Sequence, residues 1–194
     1  MTTALVVIDV QRGFDDPYWG PRNNPDAEEN IAALLDGWRA TGRPVVLVHH
    51  DSLTPGSPLA AGTPGNGFAA ILDGVEAALT FGKNVNSAFH GEIDLDAWLR
   101  EHDIEAVVLV GIQTNMCVET TARVGGNLGH RVTVAIDATF TFDLAGPDGA
   151  VLTAEELTRA TAVNLHGGGF ARIATTTEVL AELGQASASR ANPA

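Results

Sequence analysis

The chain has 194 residues and a mass of 20.2 kDa, enough for one domain with a sizeable core and a pocket. Its 11 basic and 24 acidic side chains give a formal net charge of −13, which repels nucleic acid and anionic membrane over most of the surface and favours a neutral or cationic small molecule as partner. A single cysteine excludes an intramolecular disulfide, no apolar run nears the roughly 20 residues of a membrane span, and the start of the chain lacks the basic and small-residue pattern of a secretory signal, so a cytoplasmic location is expected.

Ala4 to Ile8 is the first of four short apolar runs rich in β-branched residues, of the kind that form strands buried on both faces. Asn24 and Pro25 then predict a helix start, and Ile31, Leu34, Leu35 and Trp38 recur at helical spacing until Gly42 ends it. Pro44 to Val48 is the second strand and Ala78 to Phe81 a weaker third, followed by a short helix over Asp94 to Arg100. Ala106 to Val110 is the fourth strand, Asn115 to Leu128 a helix stopped by Gly129, and Val132 to Ile136 the fifth strand. Thr153 with Glu156 and Thr175 with Glu178 have capping-box spacing and predict two further helices, with a late strand at Phe170 to Ala174 between them. Strand and helix alternate, which predicts a three-layer α/β domain over residues 1–184: a parallel sheet with helices on both faces and ligands at the carboxyl ends of the strands. Residues 185–194 are small and polar and are expected to be a disordered tail. Two long segments, Val10 to Asn23 and the Gly/Pro-rich His50 to Gly67, read either as walls or lids of a site or as surface excursions.

Three strand ends carry reactive side chains. Asp9 follows the first strand directly, Lys83 follows the third, and Cys117 lies at the strand-to-helix turn after the fourth. Each has an ordinary reading: a loop-capping carboxylate, a solvated cation, a small buried thiol. Together they supply a base, a cation and a nucleophile at one sheet edge. A free thiol is only a few per cent thiolate at pH 7 and needs a base, a cation or a helix N-terminus to react, and this arrangement offers all three.

Asp9-Val10-Gln11 with Phe14, Lys83 followed by Ser87-Ala88-Phe89, and Gly111-Ile112-Gln113-Thr114-Asn115-Met116-Cys117-Val118 with Thr121-Ala122-Arg123 resemble the three signature blocks of the isochorismatase-like cysteine hydrolases, over about residues 3 to 182. The resemblance implies an Asp9-Lys83-Cys117 triad and a six-stranded parallel sheet in the order 3-2-1-4-5-6. It also implies an oxyanion hole from the backbone N–H groups of Gln113 and Cys117 beside a cis Ile112–Gln113 peptide, and a homodimer or homotetramer. One departure from the family pattern is His90-Gly91-Glu92, where Gly-Thr often follows the phenylalanine. Nicotinamidases of this family carry an Asp-x-His metal motif after the second strand, whereas this chain has His49-His50-Asp51-Ser52-Leu53 and lacks the second ligand. Neighbouring strand residues point to opposite faces, so His49 and His50 are not expected to share a metal. No metal or other cofactor is expected, and His50 or Asp51 is expected to serve as a pocket wall or hydrogen-bonding partner. Gly62 to Gly67 and Gly167 to Gly169 do not follow strands in a phosphate-loop pattern, so no nucleotide site is expected either.

Phe14, Trp19, Phe89, Met116, Phe140 and Phe142 are candidates for an apolar substrate pocket. The leading functional expectation is a cofactor-independent hydrolase that cleaves the C–N bond of a small amide, ureide or lactam through a Cys117 thioester. Cleavage of a vinyl ether without the thiol, and a catalytically idle binding protein on the same fold, are the alternatives.

Overall fold

The computed structural model describes residues 2–191. In chain order its strands are β1 (Thr2–Ile8), β2 (Val45–His50), β3 (Leu79–Lys83), β4 (Ile104–Ile112), β5 (Arg131–Phe140), β6 (Leu144–Ala145), β7 (Val151–Leu152) and β8 (Arg172–Ala174). The α-helices are α1 (Ala27–Thr41), α2 (Leu95–Glu101), α3 (Glu119–Asn127), α4 (Ala154–Gly167) and α5 (Thr176–Ala191). Six strands pair in the order β3-β2-β1-β4-β5-β8, all parallel, which is the expected 3-2-1-4-5-6 order with β8 as the sixth strand.

Alternation along the strands splits the core into two layers. Leu5 and Val7 of β1 join Val45, Leu47, Val108 and Val110 on one face, covered by Ile31, Leu34 and Trp38 of α1 and Val179 and Leu183 of α5. Ala4, Val6 and Ile8 join Val46, Val48, Val107 and Leu109 on the other, covered by Leu95 and Leu99 of α2, Ala122 of α3 and Leu165 of α4. Residues Ala4 to Ile8 are wholly inaccessible, so β1 is apolar on both faces because both are covered. Burial of each large aliphatic side chain there is worth about 1.5–3 kcal/mol.

Most helix ends follow their caps. Asp94 accepts from Ala97 N–H, Thr153 and Glu156 close a reciprocal capping box, and Thr175 and Glu178 do the same. Helix α1, however, begins at Ala27 rather than at Pro25. Asn24 adopts a left-handed φ of 46° and its amide donates to the carbonyls of Asp137 and Thr139 at 2.8 and 2.6 Å. Asp137 lies in a bulge of β5 and Thr139 just past it, where the β4 partner passes from Val134 at Leu109 to Thr139 at Gly111. The helix expected from Asn115 instead opens with a wide turn in which Val118 N–H donates to the Gln113 carbonyl five residues back, and α3 proper starts at Glu119. Beyond β5 the chain makes an unanticipated antiparallel hairpin, β6–β7. Helix α5 continues through Ala191, where a disordered tail was expected from residue 185, and residues 192–194 lie outside the described residues. No described helix is long and apolar enough to cross a membrane.

Candidate active site

The carboxyl ends of β1, β3 and β4 converge. Asp9 leaves β1 with a left-handed φ of 54°, which turns its side chain along the sheet edge while its N–H donates to the Val48 carbonyl at 2.9 Å. Beside it β4 comes so close that a Cβ at Gly111 would lie 2.0 Å from the Ile8 carbonyl oxygen. Gly111 has φ 119°, a backbone that only glycine adopts readily. The Ile112–Gln113 peptide that follows is cis, as the family resemblance implied.

Lys83, at the end of β3, reaches across β2 to Asp9. Its Nζ donates to Asp9 Oδ2 at 2.6 Å and to Cys117 Sγ at 3.3 Å, and it lies 3.3 Å from His50 Nδ1. The Lys83 and Asp9 side chains are wholly buried. Three ammonium protons therefore meet three acceptors, and the charge is matched by one carboxylate. His50 stays neutral because burial and the neighbouring Lys83 ammonium both push its pKa below the ordinary value. Its ring also bonds the Val85 carbonyl, which leaves Nδ1 to accept from Lys83.

Cys117 does not sit as a ready thiolate. Burial pushes its pKa well above the usual thiol range, and the Asp9 carboxylate adds to that against the opposing pull of Lys83. The expectation of a lowered pKa from the helix start and the cation is thus corrected: in this pocket desolvation wins. At rest the site holds a thiol, a carboxylate and an ammonium. Asp9 Oδ1 is the one buried side-chain polar atom without a hydrogen-bond partner among the described residues. The Asp9 carboxylate interacts with the Cys117 thiol, so a free acceptor stands next to the group that must lose a proton.

Two loops build the walls, and a buried amide holds them together. Gln11 donates from Nε2 to the His50 and Asn66 carbonyls at 3.1 and 2.7 Å and accepts His50 N–H at 2.8 Å. Asn66 adds bonds to the carbonyls of His50 and Leu59 and to Asp51 Oδ1. Gly13 and Gly65 pack backbone to backbone, since a Cβ at Gly65 would lie 2.8 Å from Gly13 Cα. Both long segments are therefore walls rather than loose excursions.

The resulting cleft has a volume of about 490 Å³. Asp9, Cys117, Gln113, Met116 and His50 line it together with Phe14, Trp19, Phe142 and Leu59, and Tyr18, Asn86, Asp143 and Leu144 complete it. Of the candidate pocket residues, Phe14, Trp19, Met116, Phe142 and His50 line this cleft. Phe89 and Phe140 do not line the cleft. Ser87 caps a short turn that sends Phe89 into the core, where it stacks on His130 at 5.6 Å. Phe140 is still within β5 and packs beneath Phe14 and Phe142 with the Arg22 guanidinium 4.0 Å over its ring. Tyr18, Leu59, Asn86, Asp143 and Leu144 were missed. Tyr18 beside Trp19 and Asn86 in the Lys83 block carried a faint signal, whereas Asp143 and Leu144 depend on where the β5 bulge lets the chain emerge.

The donor set does not suit a metal ion. Asp9, His50 and Cys117 offer ligand atoms within 4.8 Å of one another, but all three already face Lys83 Nζ, and an ion would compete with the ammonium for the same place. His49 and Asp51 are engaged with each other at 3.1 Å on the opposite side of β2 from His50.

Residues 3–164 match the family model for the isochorismatase domain. An isochorismatase family protein of Bacillus subtilis, YrdC, is 36% identical over 177 residues, covering 91% of this chain and 94% of its own length. Nicotinamidase 3 of Arabidopsis thaliana is 31% identical over 179 residues, covering 85% and 81%. The crystal structure of an isochorismatase-family protein from Chromobacterium violaceum superposes with a TM-score of 0.88 at 38% identity, covering 95% of this chain and 94% of that one. The chain belongs to the isochorismatase family of hydrolases.

Proposed function

We propose that this protein hydrolyses the C–N bond of a small amide, ureide or lactam through a thioester on Cys117. The observation that carries the reading is the buried ammonium of Lys83, bonded at once to the carboxylate of Asp9 and to the sulfur of Cys117. In an idle binding protein such a pair is a cost without return, because burying two charges seldom stabilises a fold relative to apolar side chains.

The chemistry follows from the resting protonation state. As substrate enters, the thiol gives its proton to Asp9 and the sulfur attacks the carbonyl carbon, so that S–C bond formation and proton loss proceed together. Lys83 stabilises the charge on sulfur while the thiol proton resides on Asp9. The oxyanion is met by the peptide N–H groups of Gln113 and Cys117, both at the cleft wall. Asp9 then gives its proton to the departing nitrogen, the C–N bond breaks and ammonia or an amine leaves. Water next attacks the thioester as Asp9 takes its proton, and collapse returns that proton to sulfur. Neutral His50 takes no proton and serves as the third acceptor for Lys83. A relative named as a nicotinamidase supports amide chemistry in this family, while the lysine-filled donor set of this chain favours a metal-free route.

A panel of small amides assayed for ammonia release, with Cys117→Ala as the blank, tests the reading. Turnover by the native chain, its loss in the variant, and a mass increment on Cys117 in acid-quenched enzyme are expected. Ammonia release that survives Cys117→Ala would overturn the thioester route.

A further inference from the structure

We propose that the cleft selects amides that carry a cationic group remote from the scissile bond, seated at the mouth between the rings of Tyr18 and Trp19 and the carboxylate of Asp143. This inference rests on the amidase reading for its substrate class, and on the chemistry of the cleft for its charge.

Among the described residues, the acidic side chains lining the cleft are Asp9 beside the thiol and the exposed Asp143, and no lysine or arginine lines it. The nearest cation, Lys83 Nζ, is wholly buried and already shared among Asp9, Cys117 and His50. His50 is neutral for the reasons given above. A substrate carboxylate would thus enter the cleft with no cationic partner and with a carboxylate on either side. The −13 charge of the whole chain adds to the repulsion.

The mouth has what a cation requires. Asp143 is exposed, and among the described residues it has no cationic partner; its Oδ1 accepts Ala154 N–H at 2.8 Å, which fixes the carboxylate at the start of α4. Tyr18 and Trp19 meet at 83° with ring centroids 4.9 Å apart, forming a corner of two aromatic walls, and Tyr18 is 59% exposed. Trp19 is held by its indole N–H, which donates to the Gly13 carbonyl at 2.8 Å. An ammonium or quaternary ammonium beside such rings gains from their negative faces as well as from the carboxylate. Phe14, Phe142, Met116 and Leu59 also line the cleft, so an apolar spacer would join the cation to the amide.

Three amides of similar length separate charge from shape: 4-(trimethylammonio)butanamide, its neutral isostere 5,5-dimethylhexanamide, and the anionic glutaramate. In the native chain kcat/KM for ammonia release is expected to favour the cation over the isostere by about tenfold, with glutaramate slowest. Asp143→Asn, which can keep the bond to Ala154, and Tyr18→Leu, at an exposed position, are each expected to cut the cation-to-isostere ratio by about threefold or more. Calorimetric binding of the same compounds to the Cys117→Ala protein reads charge preference without turnover. Hydrolysis of all three at similar rates overturns the inference and leaves the hydrolase reading intact. Cation-selective binding that Asp143→Asn weakens, with no amide turned over, upholds the inference about the cleft and removes the hydrolase reading. Preference for the neutral or anionic compound in either arm, or binding of none of the three to the Cys117→Ala protein, overturns the inference.

Discussion

Asp9 divides its work between two oxygens. Oδ2 is held by Lys83 at 2.6 Å, whereas Oδ1 has no hydrogen-bond partner, so one oxygen fixes the group and the other is left to take a proton. The same carboxylate is a principal reason, after burial, that the Cys117 thiol keeps its proton at rest. Asp9→Asn should therefore separate two properties that usually move together. Removing the negative charge lets Lys83 act on the sulfur unopposed, the thiol pKa falls, and alkylation by iodoacetamide at pH 8 is expected to rise by about tenfold. Turnover should nevertheless be lost, because the amide cannot carry the proton from sulfur to the departing nitrogen. A variant that alkylates no faster than the native chain would show that Asp9 does not hold the thiol protonated. At this scale the sequence was legible where chemistry is written in residue type: Asp9, Lys83 and Cys117 could each be picked out by their place after an apolar run. The pKa direction was not legible, since it depends on how completely the surrounding strands exclude water.

The segment from β4 into α3 has a harder geometric task than any single side chain. It must bring Cys117 beside Lys83 and set the Gln113 and Cys117 peptides along one wall, and it does so through Gly111, a cis peptide and a wide first turn. Gly111→Ala tests how tightly that path is constrained. The added methyl would collide with the Ile8 carbonyl at 2.0 Å, and the φ of 119° is unfavourable for any residue with a Cβ. Because the obstacle is backbone in the central strand β1, rotamer change cannot relieve it. A loss of about 3 kcal/mol or more in urea unfolding is expected, together with loss of activity; a variant with native stability would show that β4 and β1 have room to part. Elements were legible where their signals are local, as with the two capping boxes and the Gly42 stop of α1. They were illegible where a residue answers to distant chain: Asn24 gives up the start of α1 to satisfy carbonyls of β5, and Phe140 is core because β5 runs on beneath the cleft.

Across the whole molecule, the layered α/β class followed from alternation and the strand order from the family resemblance, while the cleft mouth followed from neither, because it forms only where the Phe14–Trp19 segment, Leu59 and the chain after β5 converge. That convergence is supported by a fold whose centre carries a costly feature. Asp9 and Lys83 are an ion pair with no solvent exposure, set between two apolar layers and tied to a left-handed backbone position. Lys83→Met alone leaves a buried carboxylate without its cation and is expected to destabilise the fold by about 3–5 kcal/mol, seen as a fall in the urea midpoint. Asp9→Asn with Lys83→Met removes both charges, and asparagine tolerates the left-handed conformation. The double variant should recover most of that loss and equal or exceed native stability while remaining inactive, because the energy once spent on desolvating the pair is no longer needed. If the double variant is as unstable as the single one, the pair is a structural tie between β1 and β3 in its own right. Recovery without activity would instead mean that the fold carries these charges for chemistry, at a cost which the covered faces of the central strands are large enough to absorb.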